Sequence, residues 1–163
     1  MKAFNAFANR NPIHTTMPTV AEITLSYKPA KPISELPRIT SPEDAASYLS
    51  SIWDDDLLEL REQFIVVLLN NQKQVLGWHL ISSGGATATI VDIAAIFQAA
   101  LLGNGHSLIL SHSHPSGNPV ASAADIKLTK RILKAGELLG ITVVDHIILY
   151  RGGYTSFRNK GLI

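Results

Sequence analysis

An α/β (or α+β) fold, with a mixed β-sheet covered by helices, follows from three features of this sequence. Apolar runs come in pairs, around a tight turn at Asn70-Asn71-Gln72-Lys73 and again around Arg151-Gly152-Gly153. Segments with clear helix start and stop signals lie between the runs. The run "FIVVLL" (64–69) is apolar on both faces, which places it inside a sheet rather than at its rim.

Each element has its own reason. Residues 1–18 carry Pro12 and Pro18 and no periodicity, so they read as a loose arm. "TVAEITLSYK" (19–28) alternates polar and apolar residues and predicts a strand with one wet face, an edge through which two copies could pair. "PAKPISELP" is connection. In "SPEDAASYLSSIW", Ser41 caps, Pro42 takes the first helical position and acids fill the first turn. "GGATATIV" (84–91) reads as a short strand or loop, and the next helix runs from its cap Asp92 to Gly103. "SLILSHSH" (107–114) is a further strand. Ser122 then caps a long helix that stops near Gly140, and "ITVVDHIILY", the turn and "YTSFRN" close the chain as a hairpin. Residues 1–40 form an N-terminal arm with one strand, and 41–163 form the domain.

Composition narrows the function. The chain has 163 residues, 46% apolar and 17% charged, enough to bury a core as one domain. No apolar run reaches a membrane-spanning length and the N-terminus lacks a secretion signal, so the expected location is cytoplasmic. Without cysteine, any metal must rest on His and carboxylate ligands. A formal charge of +1 gives no general argument for nucleic-acid binding. Charge is nevertheless uneven. Residues 43–62 are acidic, while Lys127, Lys130, Arg131 and Lys134 fall at helical spacing and form one basic stripe, read first as a solvated helix face.

Chemistry concentrates in "SHSHPSGNPVASAAD" (111–125). On a strand, residues i and i+2 share a face, so His112 and His114 point the same way. Asp125 sits in the first turn of the next helix, returned over the strand end by a loop stiffened by Pro115 and Pro119. Two imidazoles and a carboxylate suit Zn²⁺ with a fourth position open to water, and would also accept Fe²⁺, Mn²⁺ or Ni²⁺. Ser122 and Asp125 equally read as a capping box, which needs no metal. A metal-activated water needs a base, and Glu62, at the mouth of the inner strand beside Arg61, is the candidate. Asp145-His146 reads as a core polar pair, of which at most one side chain can face the site and orient a ligand. His14, His79 and His106 read as structural or surface residues.

"SHSHPSGNPVASAADIKLT", with "AGELLGITVVDHIIL" and "YTSFRNKGLI", resembles the RadC family of bacterial JAMM (JAB/MPN) metalloprotein domains over roughly residues 40–163. That pattern is an upstream glutamate, His-x-His-Pro, a spacer, and Ser-x-x-Asp. The resemblance implies that His112, His114 and Asp125 bind Zn²⁺, that Glu62 activates the water, and that Ser122 helps hold the tetrahedral intermediate. It implies a metallohydrolase acting on peptide or isopeptide bonds of an unspecified peptide or protein substrate. Two residues depart from the pattern: Ser113 stands where relatives usually have Asn, and Ala121 where they usually have Pro. The helix-hairpin-helix region of longer RadC proteins has no counterpart in "TVAEITLSYKPAKPISELP", which weakens the family's link to DNA repair. Two alternatives remain: a DNA- or protein-binding module with a non-catalytic metal, and a metal-dependent nuclease. The latter would call for Lys or Arg near the histidines, and 111–125 has neither.

Overall fold

A computed structural model describes residues 31–85 and 90–163. The arm 1–18, the strand expected at 19–28 and residues 86–89 of "GGATATIV" lie outside the described residues; Gly84, Gly85, Ile90 and Val91 are irregular. The described chain forms α1 (Pro42–Ile52), α2 (Asp55–Leu58), β1 (Gln63–Leu69), β2 (Val75–Ser83), α3 (Ile93–Leu102), β3 (Ser107–Ser113), α4 (Ala123–Leu139), β4 (Thr142–Tyr150) and β5 (Gly153–Ser156). The sheet order is β2-β1-β3-β4-β5, antiparallel throughout except for the parallel pair β3/β4. A parallel pair needs a crossover, and α4 supplies it. This is the mixed, helix-covered sheet that the sequence predicts.

Local chemistry accounts for the elements. Ser41 Oγ accepts from Asp44 N while the Asp44 carboxylate accepts from Ser41 N, a complete capping box ahead of Pro42. At the β1/β2 turn, Asn70 Oδ1 accepts from the amides of Gln72 and Gln74. Helix α4 ends at Gly140, whose φ of 68° favours glycine. The short helix α2 has no strong sequence periodicity; it forms because Asp54 caps the amide of Asp56.

Two cores sit on opposite faces of the sheet. Ile65, Val67, Leu69 and Ile109 pack with Leu49 and Trp53 on the α1 side. Phe64, Val66, Leu108 and Leu110 pack with Ile96, Phe97 and Ile132 on the α3/α4 side. All seven residues of β1 are buried, as expected for a strand with neighbours on both edges. The even positions of β3 face α4, so His112 does too. In β4 the register against β3 shifts between Leu108 and Ile109, so that Val143 pairs with Leu108 but Asp145 with Ile109 and His146 with Leu110. This bulge reverses the alternation of β4 and turns His146, not Asp145, toward α4.

Candidate metal centre

His112, His114 and Asp125 each present a ligand atom, all lying within 4.8 Å of one another. His112 is buried near the end of β3, and His114 follows one residue beyond the strand. The two Nε2 atoms stand 3.0 Å apart. Asp125 Oδ1 lies 3.5 Å from His112 Nε2, and Oδ2 lies 3.6 Å from His114 Nε2. Asp125 also completes the capping box of α4: its carboxylate accepts from Ser122 N at 2.7 Å, and Ser122 Oγ accepts from Asp125 N at 3.1 Å. Capping and facing the histidines are one arrangement, because the cap fixes the rotamer that aims the carboxylate.

The hydrogen-bond directions determine which ring nitrogens are bare. The Thr129 hydroxyl donates to the Asp125 carbonyl at 2.6 Å, spending its only hydrogen. His146 Nδ1, 2.7 Å from Thr129 Oγ1, must therefore donate to that hydroxyl oxygen. Burial, and then the neighbouring His112 and His114, hold His146 well below the ordinary histidine range, so it is neutral and its Nε2 accepts. That Nε2 lies 2.8 Å from His112 Nδ1, which donates, and His112 Nε2 is left bare. Meanwhile His114 Nδ1 donates to the carbonyl of Asn118 at 2.7 Å, leaving its Nε2 bare in the neutral ring. Two bare nitrogens facing each other beside a carboxylate call for a cation between them. The donor set fits a bound divalent metal, and without one the cluster must retain a proton.

The charged states follow this logic. Burial pushes the Asp125 carboxyl up, but the facing imidazoles of His112 and His114 outweigh it and hold the group far below the carboxylate range. His114 is raised, chiefly by the facing Asp125 carboxylate, against the opposing effect of burial.

Glu62 precedes β1 and reaches the same cleft, of about 610 Å³, whose lining includes His112, His114, Ser122 and Asp125. Burial raises its carboxyl, with His112 and His114 pulling it down and Asp125 pushing it up. Its backbone is pinned on both sides. Glu62 N donates to Gly85 O at 3.1 Å, and Gly84 N donates to Glu62 O at 2.9 Å. Ser113, between the two histidines, points away from them as expected. Its Oγ accepts from Gln63 N at 3.1 Å and donates to Arg61 O at 3.3 Å. Ser113 thus ties the segment carrying Glu62 to the strand carrying His112. Ser122 is exposed and lines the cleft; its oxygen accepts the cap bond and its hydrogen is left to donate.

Asp145 and His146 are both buried, and one of the two faces the site. Asp145 is satisfied on the opposite face by Ser156 Oγ and by the amides of His146 and Arg158. His146 lies directly beneath His112. Thr129 was not legible as a site residue, although its position four after Asp125 puts both on one helix face. Thr129→Val keeps the shape but removes the hydroxyl that orients His146. It should weaken zinc binding by about 10–100-fold, and Thr129→Ser should restore it. A chelator-competition titration reads this directly; equal affinity for the Val variant and the native chain would remove Thr129 from the site.

Comparison with known proteins gives a consistent assignment. A family model described as a RadC-like JAB domain matches residues 39–162. A UPF0758 protein of Symbiobacterium thermophilum is 44% identical over 102 residues, covering 63% of this chain and 44% of that protein. One of Desulforamulus reducens is 43% identical over 126 residues, 77% of this chain and 54% of its own length. One of Clostridium beijerinckii is 37% identical over 145 residues, 88% of this chain and 62% of the relative. The chain therefore spans about half the length of the curated relatives it matches. Among the described residues, no helix is long and apolar enough to cross a membrane.

Proposed function

The chain belongs to the RadC-like JAB domain family, and on that premise we propose that it is a zinc-dependent hydrolase of peptide or isopeptide bonds. The observation that carries this reading is the pair of bare Nε2 atoms, 3.0 Å apart, facing the Asp125 carboxylate in an open cleft. His112, His114 and Asp125 would hold the ion. Zinc held there would supply Lewis acidity and acidify the attacking water.

The protein's own groups do the rest. Glu62 takes a proton from the attacking water and returns it to the leaving amine, a role that suits a carboxylate raised by burial. The hydroxyl of Ser122 donates to the oxygen that gains charge as the carbonyl becomes tetrahedral. His146 and Thr129 hold the ring of His112 in one tautomer and touch no substrate.

Metal content by mass spectrometry is the test. The purified chain, incubated with zinc and desalted, should hold close to one ion, and the His112→Ala, His114→Ala double variant should hold none. Peptidase activity should disappear with a chelator and return with zinc. A native chain that takes up no zinc overturns the catalytic reading. Stoichiometric zinc with no turnover of peptide or isopeptide substrates would favour a binding module with a non-catalytic ion.

A further inference from the structure

We propose that the substrate of this site is a peptide bearing an acidic segment that lies along the exposed face of α4, next to an apolar residue that enters the cleft. The proposal rests on the hydrolase reading above and names its substrate class.

Lys127, Lys130, Arg131 and Lys134 stand at i, i+3, i+4 and i+7, all exposed on one face of α4. The stripe is about 10 Å long at the α-helical rise. Among the described residues, none of the four takes part in an ion pair. Helices that merely solvate a charged face tend to alternate signs at i, i+4. Here both such pairs, Lys127 with Arg131 and Lys130 with Lys134, are of like charge and repel. An anionic partner relieves that repulsion.

The stripe is also continuous with the cleft. Arg131 lines the metal cleft together with Leu128, and it lines the shallow hollow formed by Lys127, Lys130, Lys134 and Ile126. Apart from histidine, Arg131 is the cation of a cleft whose other charged side chains are Glu62 and Asp125. Ile90 is 93% exposed and Val120 65% exposed on the cleft lining, and both offer seats for an apolar side chain. Across the sheet, the α1/α2 side carries Glu43, Asp44, Asp55, Asp56 and Glu59, and the cation Arg151 there is already paired with Asp55 and Glu59. This asymmetry steers an anion toward the α4 face. One helix with four cations and an apolar cleft beside it matches a short acidic peptide better than a duplex, which collects phosphate contacts from several elements.

Fluorescence anisotropy with the zinc-loaded full chain tests the proposal. The probes are a labelled decapeptide of Glu around a central Leu, the same peptide with Gln for Glu, and a short DNA duplex. The Glu peptide should bind at least about tenfold more tightly than the Gln peptide, and its affinity should fall as salt rises. Lys127→Glu, Lys130→Glu, Lys134→Glu in one chain should lose that preference while zinc stoichiometry stays unchanged. The milder Gln triple variant should lose most of it, which guards against a folding defect. Equal binding of both peptides, or an unaltered triple variant, overturns the proposal. Tighter binding of the duplex than of the Glu peptide also overturns it and gives the stripe to nucleic acid. Zinc content is read separately, so loss of the hydrolase reading cannot be mistaken for loss of this one.

Discussion

Glu62→Gln should bind zinc like the native chain and hydrolyse its substrate about 10²–10⁴-fold more slowly in kcat. Glutamine keeps the length and shape of the side chain, so the cleft, the Ser113 clamp and the metal ligands stay in place. Only the capacity to take a proton is lost. The native residue is suited to that task because burial raises its carboxyl above the ordinary value of 4.5, with Asp125 adding to the rise. A base whose pKa moves toward working pH abstracts and returns a proton more evenly. The acid limb of the kcat/KM profile should vanish in the Gln variant. Full activity in the variant would sink the assignment. Loss of zinc would move Glu62 from base to ligand.

That assignment also marks where sequence reading reached and where it stopped. His112 and His114 were legible because strand alternation alone puts them on one face, and Asp125 because a stiff Pro/Gly loop and a capping serine return it to the strand end. Glu62 was legible only as a carboxylate at a strand mouth. Its approach to the cluster depends on two long-range clamps, to Gly84/Gly85 and to Ser113, that no local pattern encodes. Which of Asp145 and His146 supports His112 stayed open for a related reason. A strict two-residue period makes Asp145 and His146 interchangeable, and a single bulge in β4 decides between them. Thr129 was missed because its importance lies in the direction of one hydroxyl bond. Sheet order likewise lay beyond the local signal, although alternating helix and strand signals were enough for the mixed, covered sheet.

Zinc should raise the melting temperature by about 10 °C at pH 8 when supplied at about 1,000 times its Kd, since that excess contributes about 4 kcal/mol to a chain of this size. The increment should shrink steeply as pH falls toward 5. The reason lies in the facing nitrogens. His114 is raised above its ordinary 6.5, chiefly by Asp125, so the metal-free cluster keeps a proton to higher pH than a free imidazole would, and zinc must displace it. For the metal-free chain the sign is fixed by linkage. A raised histidine contributes stability that is fully present below its unfolded value of 6.5 and is lost as pH climbs through its folded value. The depressed carboxyl of Asp125 contributes stability above its ordinary value of 3.8, lost as pH falls through its folded value. Chelated protein should therefore soften toward pH 9, as two bare nitrogens and a carboxylate are left without a cation. Zinc-loaded protein should not, because the ion replaces the proton. The His112→Ala, His114→Ala chain should show neither the zinc response nor the alkaline softening. Scanning fluorimetry from pH 5 to 9, with and without zinc, reads all of these together. An increment independent of pH, or one that survives in the double variant, would place the bound zinc somewhere other than this cluster.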